Sequence, residues 1–351
     1  MTKKKNKKNK KSRLSLLGLL MFLSIVLLTT STYAWFTANR TVTIEDINVQ
    51  VETSGGLQIS TDGVNWKTSI SNLDITTNAY SGNTNQFPAI LTATSSALQV
   101  TDAGKMEMYS STIGTNAGGE FTLTTTKTTD TAGTTGSYIA FDIFVKNEKS
   151  GSTDNGEIYL TKASDVVKKE NSTDNGLKNA SRVAFIVGQT STDLTAPAST
   201  YIALNAPAST DGTNVVLWEP NYDVHTATGA ASAKYYFDQT TEPGLTGAAA
   251  ITCLGVKKEF ANIPLRWSLQ TEQQRADNFV AINSANYPAA NFIKTPADNV
   301  TKGDYQLLMT KAGVTKVRVY MWIEGQDVDC ENNVTGTDVT YKIVLSKNSS
   351  D

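Results

Sequence analysis

The alternation of apolar and polar residues along the chain predicts a protein built mainly of β-strands. Between positions 316 and 324, apolar side chains fall on every second residue, which is typical of a strand with one buried face. The same period of two recurs at 139–145 and 339–345. The Asp62-Gly63 pair between two further alternating runs predicts a hairpin turn. Additional strand candidates lie at 183–187, 215–218, 234–237 and 251–256.

Helical patterns are few. Ser164 is a candidate cap for a short helical turn ending at Lys169, and residues 270–279 include good helix formers with a poorly defined apolar stripe. Many strands with few helices predict an all-β fold, an immunoglobulin-like or related β-sandwich. We expect one domain over 35–351, with a polar, loop-rich insertion at about 150–265.

The first 34 residues have the three parts of an export signal. Eight Lys and Arg residues and no acid lie within the first thirteen positions, an apolar run follows at 14–28, and small polar residues lead to Ala34. We expect cleavage between Ala34 and Trp35. Retention as a membrane helix is the alternative, although the run is shorter than the about 20 residues that span a bilayer. In both cases the bulk of the chain lies outside the membrane, secreted or at the cell surface.

The strand predicted directly behind this signal covers residues 41–52. Its apolar residues change parity at Glu45-Asp46, so a β-bulge there would return them to one face. These residues are Val42, Ile44, Ile47, Val49 and Val51.

Charge and cysteine content agree with an extracellular protein. The chain has 31 basic residues, so removal of the eight in the signal leaves 23 against 33 acidic residues. An acidic protein is a poor partner for nucleic acid. Cys253 and Cys330 form one disulfide in an oxidising compartment or remain two buried thiols, and the sequence leaves both open.

Residue types that carry chemistry are sparse. His225 is the only histidine and no G-x-S-x-G motif accompanies it, so we predict a surface or hydrogen-bonded loop histidine and no enzyme. Oxygen ligands at Asp327, Asp329 and Glu331 form a calcium candidate. Because the glycine and terminal Glu of an EF-hand are missing, a solvated turn is the simpler interpretation, and we predict no metal and no cofactor.

Tryptophans are candidates for stacking on sugars. Trp322 shares its parity with Lys316 and Arg318, which predicts that its ring faces outward. Packing in the core is the alternative for this and the other tryptophans.

The exit site of the signal carries a family resemblance. Residues 31–37, Ser-Thr-Tyr-Ala-Trp-Phe-Thr, resemble the exit site of the TasA and camelysin group, Gram-positive biofilm-matrix proteins with a SipW-type signal peptidase. The strand at 141–147, which ends in Asn and precedes a Ser-Gly-Ser turn, is similar to a second pattern of that family. The resemblance covers a small part of the chain. It implies a jelly-roll-like sandwich in which the strand starting at Trp35 and Phe36 completes the sheet of a neighbouring copy.

The function expected from these features is structural. We predict a surface or extracellular-matrix protein, a fibre subunit that assembles by donating its N-terminal strand; a monomeric adhesin or carbohydrate-binding module is the alternative. The expected partners are further copies, other matrix or surface proteins, and signal peptidase during export. Contact with the membrane is expected only through the signal segment. The C-terminal residues have no apolar tail or sorting motif, so we expect release, retention by partners or self-assembly.

Overall fold

The computed structural model describes residues 42–52, 56–148, 156–168, 176–227, 229–230, 254–298, 300–310, 312–330 and 338–347. Within them the strands are β1 (Val42–Val51), β2 (Leu57–Ser60), β3 (Ser69–Ile70), β4 (Ile90–Leu91), β5 (Ala93–Ser95), β6 (Met108–Thr115), β7 (Phe121–Thr128), β8 (Ile139–Asn147), β9 (Glu157–Leu160), β10 (Asp165–Lys168), β11 (Ser181–Ser191), β12 (Val215–Pro220), β13 (Leu254–Val256), β14 (Phe260–Pro264), β15 (Phe279–Ala281), β16 (Phe292–Thr295), β17 (Tyr305–Met309), β18 (Gly313–Glu324) and β19 (Asp338–Ser346). The helices are α1 (Asn72–Thr76), α2 (Leu177–Ala180), α3 (Ala198–Ile202) and α4 (Glu272–Asn278), with 3-10 turns at Trp267–Leu269 and Ala289–Asn291.

Two large mixed sheets organise these strands. One has seven strands in the order β17-β9-β19-β1-β3, with β10 also on β19 and β4 also on β1. The other has ten strands in the order β14-β7-β6-β5-β18-β11-β12-β16, with β8 on β18 and β2 on β8. Strands β13 and β15 form a separate pair. The fold is therefore all-β and sandwich-like, as predicted.

The main core lies between the two sheets. Ile47 and Ile343 from the seven-stranded sheet join Phe141 and Val319 from the ten-stranded sheet in one cluster, each 0% exposed. Removal of these side chains from water is the main force that holds the sheets together. Every residue of β8 and of β18 is buried, which shows that the ten-stranded sheet is covered on its second face as well.

The prediction that Trp322 faces outward was wrong. Its side chain is 1% exposed and lies in a second apolar cluster with Tyr320, Leu217 and Met108. Residues from the 98–108 segment and from 282–287 contribute to that cluster and cover the second face. A period of two distinguishes the faces of a strand but does not show that both are covered.

Local predictions near the N-terminal half were confirmed. The pairing register of β1 with β19 shifts between Ile44 and Asp46, where the bulge was expected. Asp62 lies in a turn in which its carboxylate accepts hydrogen bonds from the amides of Val64 and Asn65. Gly63 adopts φ +72° there, a conformation that glycine adopts without steric cost.

The two helix predictions had different outcomes. Residues 165–168 form strand β10, not a helix; the hydroxyl of Ser164 bonds to the backbone of Val344 on β19 instead of capping a turn. The helix predicted within 270–279 is present as α4. Its first turn is closed by a capping box, in which Thr271 and Gln274 each accept a hydrogen bond from the backbone amide of the other.

The segment predicted as an insertion, 150–265, contributes β9 and β10 to the seven-stranded sheet and β11, β12 and β14 to the ten-stranded sheet. Its boundaries stay a prediction. The strand candidate at 234–237 lies outside the described residues. In the part of the chain that the structure describes, we find no helix long and apolar enough to cross a membrane, and the export signal lies outside that part.

Candidate functional site

A row of polar side chains crosses the second face of the ten-stranded sheet at one end. Trp322 on β18 is paired in register with Arg182 on β11, and Glu219 on β12 is paired with Lys294 on β16. Arg182 Nη2 donates to Glu219 Oε1 at 2.7 Å, and Lys294 Nζ lies 3.3 Å from Glu219 Oε2. The row therefore places charged groups next to an apolar cluster.

Arg182 holds this end of the sheet together. Its side chain is 1% exposed, and its Nη1 donates to the carbonyls of Asn179 and Ser181. Nη2 also donates to Asp327 Oδ2. A buried guanidinium persists only where carboxylates and carbonyls replace its water. Arg182 thus links β11, β12 and the loop that follows β18.

The loop after β18 turns two aspartates inward. The amide of Asp329 donates to Asp327 Oδ1 at 2.8 Å, and the amide of Cys330 donates to the carbonyl of Asp327 at 3.0 Å. Asp327 is 6% exposed and Asp329 is 0% exposed. The interpretation of this segment as a solvated turn was therefore wrong.

His225 approaches the same aspartates from the loop after β12. Its Nδ1 lies 2.9 Å from Asp329 Oδ2, and the amide of Thr226 donates to Asp329 Oδ1 at 2.7 Å. Burial alone lowers the pKa of His225. The hydrogen bond with Asp329 and the negative charge of Asp327 outweigh burial and raise that pKa above its ordinary value of 6.5.

Glu324, the last residue of β18, is a further buried acid next to this loop, and its carbonyl accepts a hydrogen bond from the amide of Asp327 at 3.1 Å. Its carboxylate accepts hydrogen bonds from Trp322 Nε1 at 3.0 Å and from the amide of Gln326 at 2.9 Å. Burial raises the pKa of Glu324 to about 7, against the lowering effect of these hydrogen bonds. Glu219 shows the opposite balance, since Arg182 and Lys294 outweigh burial and lower its pKa.

The structure brings some of the predicted site residues together and leaves others untested. His225, Asp327 and Asp329 meet, whereas Glu331 lies outside the described residues. Sequence reasoning missed Arg182 and Glu219, although an arginine in an apolar strand was an available signal.

The predicted assembly strand and the predicted disulfide are also described only in part. Val42 and Ile44 belong to β1, and Ile47, Val49 and Val51 are at most 5% exposed. Cys330 is buried beside the cluster. The disulfide stays a prediction because Cys253 lies outside the described residues, as do the predicted cleavage and donor residues Ala34, Trp35 and Phe36.

The fold and this site define the class of protein: an all-β, sandwich-like protein of two mixed sheets with a buried arginine, carboxylate and histidine network at the end of three strands. Comparisons of the chain with family models, with curated proteins and with solved structures find no match.

Proposed function

We propose that this chain is an exported structural protein of a bacterial surface or extracellular matrix and that its copies assemble by exchange of β1. The position of β1 carries the proposal. It is the first described strand, and it lies between β19 on one side and β3 and β4 on the other. It also buries Ile47, Val49 and Val51 in the main core.

Exchange of such a strand conserves the interactions of the fold. When β1 leaves, β19 presents an unpaired edge beside an apolar slot, and the β1 of a second copy fills it in the same register. The main-chain hydrogen bonds and buried side chains are the same in both states. Repeated head-to-tail exchange yields a fibre.

The test is a reversible lock on β1. Asn48 and Lys342 are register partners on β1 and β19, Asn48 being half-buried and Lys342 exposed, so the pair Asn48→Cys with Lys342→Cys ties β1 to its own subunit through a disulfide. We expect filaments from the mature wild-type chain by electron microscopy, monomers from the oxidised double variant, and filaments again after reduction. Asn48→Cys alone is the control.

Two results would refute assembly by exchange. One is filament formation by the oxidised double variant at the wild-type rate. The other is a monomeric wild-type chain, starting at Trp35, at high concentration in all conditions tested. For the oxidised double variant, a mass measurement under non-reducing conditions confirms that the engineered disulfide is within one chain.

Export is supported by the basic, apolar and small-residue segments that precede Trp35 and by the resemblance of residues 31–37 to the TasA and camelysin group. We expect protein recovered from the culture medium or cell surface of a Gram-positive host to begin at Trp35, as determined by mass spectrometry of its N-terminal peptide. Recovery of the chain only inside the cells would contradict this part of the proposal.

A further inference from the structure

We propose that His225, Asp327 and Asp329 form a binding site for a divalent transition-metal ion of the zinc class. One nitrogen of His225 and one carboxylate oxygen from each aspartate lie within 4.8 Å of one another. His225 Nδ1 and Asp329 Oδ2 are 2.9 Å apart. Two ligands that are each about 2.0–2.2 Å from a tetrahedral zinc ion lie roughly 3.4 Å from each other, so these two atoms would separate by about 0.5 Å to admit the ion.

The charges around the site favour a cation. Three carboxylates, those of Glu219, Asp327 and Asp329, face two cations, Arg182 and Lys294. The Nη2 of Arg182 is engaged by both Glu219 and Asp327, so its charge is already shared between two acids. Asp329 contacts His225 and a backbone amide and is 0% exposed. Because a desolvated carboxylate is costly without a counter-charge, Asp329 requires a cation beside it, which is either a protonated His225 or a metal ion bound to neutral His225.

Buried polar atoms without a partner are found in the same two loops. Nε2 of His225 is inaccessible and has no hydrogen-bond partner, and the side chain is 10% exposed. Gln326, which precedes Asp327, is 3% exposed, and neither Oε1 nor Nε2 of its side-chain amide has a partner. Buried polar atoms in native proteins nearly always have a protein, water or ion partner. A bound ion with its water molecules supplies such partners, which the ion pairs of this cluster do not.

The ligand types select the metal. An imidazole nitrogen with carboxylate oxygens suits zinc and related transition metals, whereas calcium takes oxygen ligands. Asp329 is also held in place, because a Cβ added to Gly229 would lie 2.6 Å from its Oδ1. The backbone of the loop after β12 thus lies directly over the Asp329 carboxylate, and the position of that carboxylate is fixed before a metal arrives.

The single histidine makes the test selective. The chain has one histidine, so nitrogen-15 labelling of histidine reports on His225 alone. The mature chain, purified without a histidine tag and stripped with a chelator, is titrated with zinc chloride. We expect imidazole nitrogen shifts that saturate at one zinc ion per chain, and a melting temperature that rises with zinc concentration. Calcium chloride in place of zinc should leave the imidazole signals unchanged.

Variants separate this site from adventitious surface binding. Asp329→Asn should weaken zinc binding by at least about tenfold, as loss of a metal-supporting group does. Asp277→Asn, at an acid whose side chain is 44% exposed and pairs with Lys258, should leave binding unchanged. Imidazole signals that do not respond to zinc would overturn the proposal, as would binding that Asp329→Asn does not weaken. The wild-type titration stands even if Asp329→Asn fails to fold.

Discussion

The substitution Arg318→Met gives the most exacting prediction about stability. Arg318 lies on β18 opposite Asp142 on β8, and its side chain is 5% exposed. Nη1 donates to Asp142 Oδ1 at 2.9 Å, and Nη2 donates to Asp130 Oδ2 at 2.6 Å and to the carbonyl of Thr84 at 3.0 Å. The side chain of Asp142 is 3% exposed and that of Asp130 is 1% exposed. Arg318→Met therefore leaves two buried carboxylates without this counter-charge.

The expected loss follows from this burial. Removal of one partner of a buried ion pair costs about 3–5 kcal/mol when the remaining charge is desolvated and uncompensated. Asp142 keeps Lys316 Nζ at 3.4 Å, so the loss falls mainly on Asp130. Lys258 provides the matched control. It lies 3.8 Å from Asp277 at the surface, with 53% and 44% of the two side chains exposed. For such a pair, Lys258→Met should change the free energy of unfolding by less than about 1 kcal/mol.

The assay is urea unfolding followed by tryptophan fluorescence and circular dichroism, with the free energy obtained by linear extrapolation. The double variant Arg318→Met with Asp142→Asn should lose less than the sum of the two single variants, because the neutral amide no longer needs the guanidinium. If Arg318→Met is too unstable to measure, Arg318→Lys gives an intermediate value. A loss for Arg318→Met that is no larger than that for Lys258→Met would refute the reasoning.

Three further predictions concern other parts of the fold. Glu324→Gln should abolish part of the pH dependence of stability, because the pKa of Glu324 is about 7 in the folded chain against 4.5 in the unfolded chain. As pH rises from about 4 to 8, the free energy of unfolding of the wild type should fall by about 3 kcal/mol relative to that of the variant. A difference between the two proteins that does not change with pH would contradict this. Gly188→Ala should destabilise the protein in thermal unfolding, because a Cβ there would lie 2.2 Å from the carbonyl of Leu204, whereas Gly303→Ala, with no atom within 4 Å, should have no such effect. Ile47→Ala should lower the free energy of unfolding by about 2–5 kcal/mol, and a smaller loss in urea unfolding would show that β1 contributes little to the core.

The alternation of apolar and polar residues predicted the strands well because it depends on a local property of the chain. The alternation at 316–324 lies in β18 and that at 139–145 in β8, and the parity change near Glu45 located the bulge of β1. Each of these features depends on residues that are neighbours in sequence. Ser164 misled for the opposite reason: its partner Val344 lies 180 residues away, and pairing of β10 with β19 overrides a local preference for a helical cap.

The candidate site could not be predicted in the same way. His225 and Asp329 are 104 residues apart, and Arg182 and Asp327 are 145 apart, so no spacing rule relates them. The sequence does contain one indication of the site: an arginine in an apolar strand requires buried acids somewhere in the chain to compensate its charge. The acids at alternate positions after β18 were visible, but their inward direction depends on the second apolar layer that covers that face of the sheet.

The topology gives strand exchange a kinetic basis. β1 pairs with β19 in parallel, and the pair Ile47 and Tyr341 joins the N-terminal and C-terminal parts of the chain. Strand pairing across so long a loop carries a large closure entropy and is intrinsically slow. Of the described strands, β1 is the first to be exported and β19 is the last, so β1 waits outside without its main neighbour while the rest of the chain is exported. At high local concentration a second copy can supply β19 during this interval. The slow pairing of β1 with β19 within one chain therefore favours pairing of these strands between chains. We expect the yield of assembled protein to rise with protein concentration during refolding, while assembly of the folded monomer stays slow.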